Sequence, residues 1–295
     1  MSLRPGFTGA GLDRADRLRL DEARLAQLAD SAGARLLRLA SLDPVLDETG
    51  RLAWDGLAGG PGTETIFLGL DGDTPLFAPI PRIDIGQRAW SVFAILGRMA
   101  PADAAIWGAA RSLIEWHNRH RFCGRCGAPA PIFRAGWGRR CTGCGLEHFP
   151  RVDPVVIMLA EHDGKVLLGR QPQYPPGRYS ALAGFIEPGE SFEEAVAREI
   201  FEEAGLEVGE VRYVASQPWP FPGQLMIACI AEALSNAVIL DRTELEDSLW
   251  ADRSEVAAAL AGDASAPFLA PPPFAIAHTL LRAWADGLAP ADRPA

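Results

Sequence analysis

Four of the five cysteines fall in two pairs, Cys123-x2-Cys126 and Cys141-x2-Cys144, with fourteen residues between the pairs. A two-residue spacing lets both thiolates of a pair turn onto one tetrahedral ion. Gly124, Gly127, Gly143 and Gly145 supply the tight backbone that such knuckles need. Four sulfur donors fill the coordination sphere of Zn2+ and leave no position open for substrate. The spacing therefore predicts a structural zinc site. Between residues 111 and 151 there are eight Arg and two Glu. These cations balance the excess negative charge of four zinc-bound thiolates; contact with a phosphate chain is the alternative role. Cys229 lies in an apolar run and reads as a core residue.

Carboxylates form the second group. From Gly184 to Leu206 the chain reads Gly-Phe-Ile-Glu-Pro-Gly-Glu-Ser-Phe-Glu-Glu-Ala-Val-Ala-Arg-Glu-Ile-Phe-Glu-Glu-Ala-Gly-Leu. Ser191 and Glu194 have capping-box spacing, which starts a helix near 192, and Gly205 stands where a left-handed C-terminal cap belongs. Glu199, Glu202 and Glu203 then lie at i, i+3 and i+4, within about 100° of one helix face. Like charges so placed repel, and hard divalent cations such as Mg2+ would cancel that repulsion. Ala195, Val196 and Ile200 form the buried side, and Arg198 reaches across to a Glu. A solvated acidic face is the plain alternative; the Gly- and Glu-rich loop before the helix argues against it.

Ser216-Gln-Pro-Trp-Pro-Phe-Pro-Gly-Gln-Leu-Met226 is the third notable run. Pro218, Pro220 and Pro222 hold an extended backbone of low entropy, and Trp219 and Phe221 alternate with them. A rigid aromatic wall suits a flat heteroaromatic ring; a proline-bounded core strand would leave the same trace.

These residues need a scaffold, and the chain is long enough to build one. Its 295 residues suggest about two domains. With 48% apolar and 22% charged residues it is an ordinary globular chain. Twenty-eight basic and 38 acidic residues leave a net charge of −10, which excludes a generally basic nucleic-acid coat. The longest apolar run noted, Val155 to Ala160, is far short of the ~18 residues of a membrane span. The N-terminus shows no continuous apolar segment of a secretory signal, so a cytoplasmic location with reduced thiols is expected. Short strands are expected at Ala34–Ala40, Arg51–Trp54, Thr65–Leu70 and Pro75–Ile80, with a turn at Asp71-Gly72. A helix is expected from about Ala102 to Asn118. Val155–Ala160 and Val166–Leu168 read as a hairpin through Asp163-Gly164, followed by an apolar strand near Leu225–Ala231. Two more helical stretches follow, divided by Pro271–Pro273, and the tail after Gly287 is expected to fray. Nothing in residues 1 to about 115 offers a catalytic cluster, which favours a structural or dimerising role there.

The segment from Gly184 to Leu206 resembles the signature of the Nudix hydrolases, G-x5-E-x7-R-E-U-x-E-E-x-G-U. Gly184, Glu190, Arg198, Glu199, Ile200, Glu202, Glu203, Gly205 and Leu206 occupy every fixed position. The proline-aromatic run is similar to S-Q-P-W-P-F-P-x-S of the NADH pyrophosphatase (NAD+ diphosphatase) subgroup, which joins a four-cysteine zinc ribbon to a Nudix domain. The resemblance is strong over about 119–285 and looser upstream. It implies an α+β protein: a β-rich N-terminal domain (1–118), a zinc ribbon (119–150) and a Nudix α/β/α sandwich (151–285).

What the resemblance implies for the site is specific. Glu199, Glu202 and Glu203 would carry Mg2+ or Mn2+, with the Ala183 carbonyl as a further ligand, while Glu190 shapes the loop. Glu244 matches a further carboxylate that approaches the metals as ligand, general base or both, with Glu246 and Asp247 as confounders. Gln217, Pro218, Trp219, Pro220, Phe221, Pro222, Gly223 and Gln224 would bind substrate, with Phe149, Phe185 and the backbone at Ala277. Two positions depart from the pattern. Gln224 replaces the usual Ser and is longer; Phe149 falls where some members carry Tyr, so stacking survives the change and a hydroxyl contact does not. The implied reaction is metal-dependent cleavage of NAD(H) to AMP and nicotinamide mononucleotide by a homodimer, with the NAD cap of RNA as a second substrate. ADP-ribose hydrolysis and a non-catalytic nucleotide sensor are the rivals; Trp219 and Phe221 weigh against the first, the intact signature against the second.

Overall fold

Gly, Pro and Asp cut the first hundred residues into apolar pieces too short to stand alone, and pairing rescues them. The computed structural model describes residues 4–57, 64–83 and 91–287. The chain divides into two units, one comprising Phe7–Val152 and Pro218–Gly223, the other Asp153–Gln217, Gln224 onward and the residues before Phe7.

In the first unit the strands are β1 (Arg35–Leu37), β2 (Leu39–Ala40), β3 (Asp43–Pro44), β4 (Trp54–Gly56), β5 (Thr65–Asp71) and β6 (Thr74–Pro79). Four of them form a sheet in the order β4-β1-β6-β5, and β2 pairs with β3. Phe67 and Phe77 pack across it, ring centroids 5.3 Å apart. The turn expected at Asp71-Gly72 lies one residue on, at Gly72-Asp73, because Asp71 still pairs with Thr74; Gly72 has φ 57. The strand expected over Ala34–Ala40 is broken at Arg38, whose amide instead donates to Ala53 O. Two helices had not been expected, α1 (Glu22–Ala29) and α2 (Ser91–Leu96). Helix α1 is capped by the Asp21 side chain, which accepts from the Arg24 amide at 2.9 Å. It buries no residue fully, and Leu25, Leu28 and Ala29 pack half-buried against the cluster of Phe67 and Phe77.

Helix α3 (Pro101–Arg119) has Pro at its start and buries Ile106, Trp107, Ala110, Leu113 and Ile114, as the spacing predicted. Three short strands follow, β7 (Ile132–Phe133), β8 (Gly138–Arg140) and β9 (Glu147–His148), and form one small sheet. His117 ties this sheet to the last turn of α3. Its ring is fully buried; Nε2 donates to Gly136 O at 2.8 Å and Nδ1 accepts from Arg139 Nε at 3.0 Å. Acceptance from Arg139 at Nδ1 requires the neutral ring.

The second unit is built on β10 (Asp153–His162), whose apolar run is buried on both faces. It pairs antiparallel with β11 (Lys165–Arg170) and β12 (Leu182–Phe185). The hairpin turn is Asp163-Gly164, both with positive φ, as a two-residue loop requires. Beyond β12 come α4 (Phe192–Ala204), β13 (Val208–Trp219), β14 (Gln224–Ala233), β15 (Asp247–Asp252), α5 (Arg253–Ala261) and α6 (Ile276–Ala285). The main path through the sheet is β13-β14-β10-β11-β15, with β14 parallel to β10. Side chains alternate along β10. Val156 and Met158 pack with Ala195, Val196 and Ile200 of α4, while Ile157 and Leu159 pack with Leu280, Leu281 and Trp284 of α6. The result is a sheet between helices, as the resemblance implied. Strand β12 was hidden in what reads as a Gly-rich loop; pairing of Ala183 with Ile157 makes it a strand. Among the described residues no helix is long and apolar enough to cross a membrane. The tail after Gly287 lies outside the described residues.

Burial pushes the His117 imidazole down to about 4, against the ordinary 6.5. The folded state therefore holds fewer protons than the unfolded chain between those values. Its stability is full above pH 6.5 and is lost as pH falls through 4, by about 3 kcal/mol at most. Denaturant melts of His117→Gln are expected to show lower stability at pH 7 and a shallower loss from pH 6.5 to 4 than the parent. An unchanged slope would refute the role of this ring.

Candidate active site

Helix α4 presents the acidic face because both its ends are defined. The Ser191 hydroxyl accepts from the Glu194 amide at 3.2 Å, the Glu194 carboxylate accepts from the Ser191 amide at 2.7 Å, and Gly205 closes the helix at φ 67. Arg198 is the hub of the surrounding network. Nε and Nη2 donate to the two oxygens of Glu190, at 2.6 and 3.0 Å. Nη1 donates to Glu199 at 2.9 Å and to Glu202 at 2.8 Å, and Nη2 also reaches Phe185 O at 2.9 Å. Glu190 accepts from the Glu187 amide as well, so it braces the loop before the helix. The Arg198 guanidinium and that amide hold the Glu190 carboxyl down to about 2.

Glu203 sits in the opposite electrostatic condition. It is 2% exposed, and burial, then the neighbouring carboxylates of Glu199 and Glu244, push its pKa up to about 8. The Ala183 amide is its hydrogen-bond donor, and its Oε2 is buried with no partner among the described residues. Glu199 is pushed up too, mainly by burial. A cluster of carboxylates with a buried, unpartnered oxygen is the donor set a hard divalent cation takes. Glu244 acts on both Glu199 and Glu203 from its loop. The two confounders are engaged elsewhere: Glu246 pairs with Arg170, and Asp247 accepts from the Tyr179 hydroxyl at 2.5 Å. Burial, and then the Glu203 charge, raise the pKa of Tyr174. Its Gln-Pro-Gln-Tyr-Pro-Pro surroundings carry no chemical signal.

Gly184 explains how closely this cluster is built. A Cβ there would lie 1.8 Å from the Glu199 carboxyl carbon. No side chain fits without moving that carboxylate.

The cysteines converge as their spacing predicted. All four sulfurs lie within 4.8 Å of one another, Cys123 to Cys144 at 3.7 Å and Cys126 to Cys141 at 3.4 Å. A tetrahedral Zn2+ with Zn–S near 2.3 Å needs sulfurs about 3.8 Å apart. Amides of Gly143 and Cys144 point at Cys141 Sγ, 3.3 and 3.4 Å away, and the Arg125 amide points at Cys123 Sγ. The set fits zinc and has no open position.

The proline-aromatic run divides in character. Gln217 is fully buried, and its amide is committed to backbone. Nε2 donates to Gly6 O and Phe274 O, and Oε1 accepts from the Ile276 amide, all at 2.9 Å. Gln217 thereby holds the start of α6, where Ala277 offers a first-turn amide. Phe221 is 3% exposed and packs against Phe93, Trp107 and Trp219. Pro220 is buried; Trp219, Pro222, Gly223 and Gln224 are half-buried, and Pro218 is exposed. Phe149 and Phe185 expose 45% and 55% of their surface.

Residues 150–270 match the NUDIX domain family, and residues 118–149 match the NADH pyrophosphatase zinc ribbon domain. The NAD-capped RNA hydrolase NudC of Mycobacterium bovis is 40% identical over 311 aligned positions, which cover 95% of this chain and 95% of that protein. The chain belongs to the Nudix hydrolase family. Its signature is the α4 segment, and the zinc ribbon marks the subgroup. A human Nudix relative, NAD-capped RNA hydrolase NUDT12, is 40% identical over 266 residues, 85% of this chain and 54% of that protein. The chain thus spans about half the length of the human relative and nearly all of the mycobacterial one. Among solved structures, a Nudix hydrolase from Nitrosomonas europaea matches 57% of this chain and 92% of its own, with 23% identity and a TM-score of 0.46.

Gly184→Ala is expected to leave the fold intact and to cost at least about a hundredfold in divalent-metal-dependent turnover, since small displacements of a catalytic group are that costly. Parent-like turnover would refute the close packing. Cys141→Ser is expected to release the zinc and lower the Tm. A variant that keeps one zinc per chain and melts with the parent would refute the four-sulfur site.

Proposed function

We propose that this Nudix hydrolase cleaves the pyrophosphate bond of NAD(H), releasing AMP and nicotinamide mononucleotide, and removes the same group from the 5′ end of NAD-capped RNA. The observation that carries the reading is the Glu203 carboxylate: buried, electrostatically loaded by Glu199 and Glu244, and with one oxygen unpartnered. The names of the mycobacterial and human relatives support the substrate class.

Glu199, Glu202 and Glu203 would hold Mg2+ or Mn2+, with Glu244 and the Ala183 carbonyl completing the set. A bound cation of this kind supplies neutralisation of phosphoryl charge and acidifies an attacking water. The chain's own residues do the rest. Arg198 keeps Glu199 and Glu202 in fixed rotamers. Glu244 accepts the proton of the water as its oxygen attacks phosphorus. The P–O bond of the pyrophosphate breaks, and the leaving group departs as a nucleoside monophosphate. No covalent intermediate is needed, because positioning and electrostatics suffice. Phe185, exposed on the second unit beside the Arg198 network, offers a ring face for a base. The capped-RNA activity is favoured by exposed Phe122 and Phe149, each with an arginine above its ring, Arg121 and Arg134 respectively, both at 5.8 Å. A cytoplasmic homodimer belongs to the same proposal.

Purified protein incubated with NADH, ADP-ribose or NAD-capped RNA is expected to release AMP and reduced nicotinamide mononucleotide from NADH. That release should need Mg2+ or Mn2+, stop with EDTA and fall by at least about a thousandfold in a folded Glu203→Gln variant. Faster cleavage of ADP-ribose would reassign the specificity. No cleavage of any substrate by folded, zinc-loaded protein would favour a nucleotide sensor.

A further inference from the structure

The segment Pro218–Gly223 has an unusual backbone problem. Three of its six residues are proline, so only Trp219, Phe221 and Gly223 have an amide to donate. Such a segment is held through its carbonyls and rings. Arg111 of α3 takes both. Its side chain is 8% exposed, and Nε donates to Pro220 O at 2.9 Å. The guanidinium lies 4.9 Å from the Phe221 ring centroid and 5.8 Å from that of Trp107. Glu115, one turn on, lies 3.5 Å from Nη2, and Asp43 is within electrostatic reach.

The neighbouring residues of α3 allow this approach. A Cβ on Gly108 would lie 3.1 Å from Phe7 and 3.4 Å from Pro220, so the helix comes as close there as glycine permits. The Trp219 indole is then set by rings. Phe7 meets it edge-on at 5.7 Å, Phe221 at 5.1 Å, and Phe93 lies nearly parallel to it, 18° off, with centroids 6.3 Å apart.

We propose that Arg111 is a positioning residue for substrate recognition: it fixes the Pro220 carbonyl and the Phe221 ring, and through them the orientation of Trp219. The consequence for turnover rests on the reading of Trp219 as a wall for a substrate base.

The test compares Arg111→Met, Arg111→Lys, Trp219→Ala and the Met/Ala double variant in the full chain. In hydrogen exchange, the amides of Trp219, Phe221 and Gly223 should exchange at least about tenfold faster in Arg111→Met, with α4 unchanged. Arg111→Lys keeps a donor and charge but loses the planar contact, so it should fall between. In kinetics with NADH, Arg111→Met should raise KM about tenfold with kcat within about threefold, and the double variant should be no worse than Trp219→Ala. Parent-like exchange in both Arg111 variants overturns the clamp whatever the activity. Faster exchange with multiplying losses in the double variant overturns its action through Trp219. Faster exchange in a protein that never cleaves NADH overturns the reading of the site and leaves the clamp standing.

Discussion

The second unit is organised around the cost of placing several carboxylates on one helix face. Glu199, Glu202 and Glu203 repel one another, and burial of Glu203 makes its charge still more expensive. Arg198 offsets part of this by engaging Glu190, Glu199 and Glu202 at once. The rest is left as a strongly perturbed acid with an unpartnered oxygen. A purely structural helix would have no reason to keep such a group. The sheet makes the arrangement possible, since β12 brings the bare α-carbon of Gly184 against the Glu199 carboxylate. The apolar side of α4, buried against Val156 and Met158, anchors the helix in that contact. Packing here does electrostatic work: about 1.5–3 kcal/mol per fully buried aliphatic side chain is available to hold unfavourable charges in place.

Much of this was legible before any coordinates, because it rests on local rules. Capping residues at Ser191 and Gly205, the i, i+3, i+4 glutamates and the paired cysteines each depend on neighbours close in sequence. The apolar run of β10 announced a strand buried on both faces, and Asp163-Gly164 announced its hairpin. What was not legible depends on partners far away. Strand β12 exists through pairing with β10; its Ala-Gly-Phe sequence has no strand signal of its own. Among Glu244, Glu246 and Asp247, the latter two are engaged by Arg170 and Tyr179, partners that no local pattern announces. Gln217 reads as a polar residue in a binding motif, yet its amide is committed to three backbone groups, one of them in Gly6. Phe221 reads as half of an exposed wall, and contacts with Phe93 and Trp107 bury it.

The same distinction holds in the first unit. Its apolar positions on α3 stand out by period, whereas its polar ones do not. Yet the polar residues of α3 make its long-range connections. His117 carries Arg139 of the small sheet and Gly136 of the turn before it, Asn118 donates to Pro81 O, and Arg111 carries Pro220. Each is a hydrogen bond in a water-poor setting, where leaving a partner unsatisfied costs about 1–3 kcal/mol. Helix α3 is thus a spine with the ribbon tied to one end and the proline-aromatic segment tied nearer its middle. A zinc site with no open position suits this plan. Its four sulfurs hold together a ribbon whose short strands bury little on their own. The ribbon in turn presents Gly136 and Arg139 to a neutral His117. The metal that does no chemistry in this unit therefore stabilises the end of the helix whose middle carries Arg111, and the proline-aromatic segment depends on packing and on coordination together.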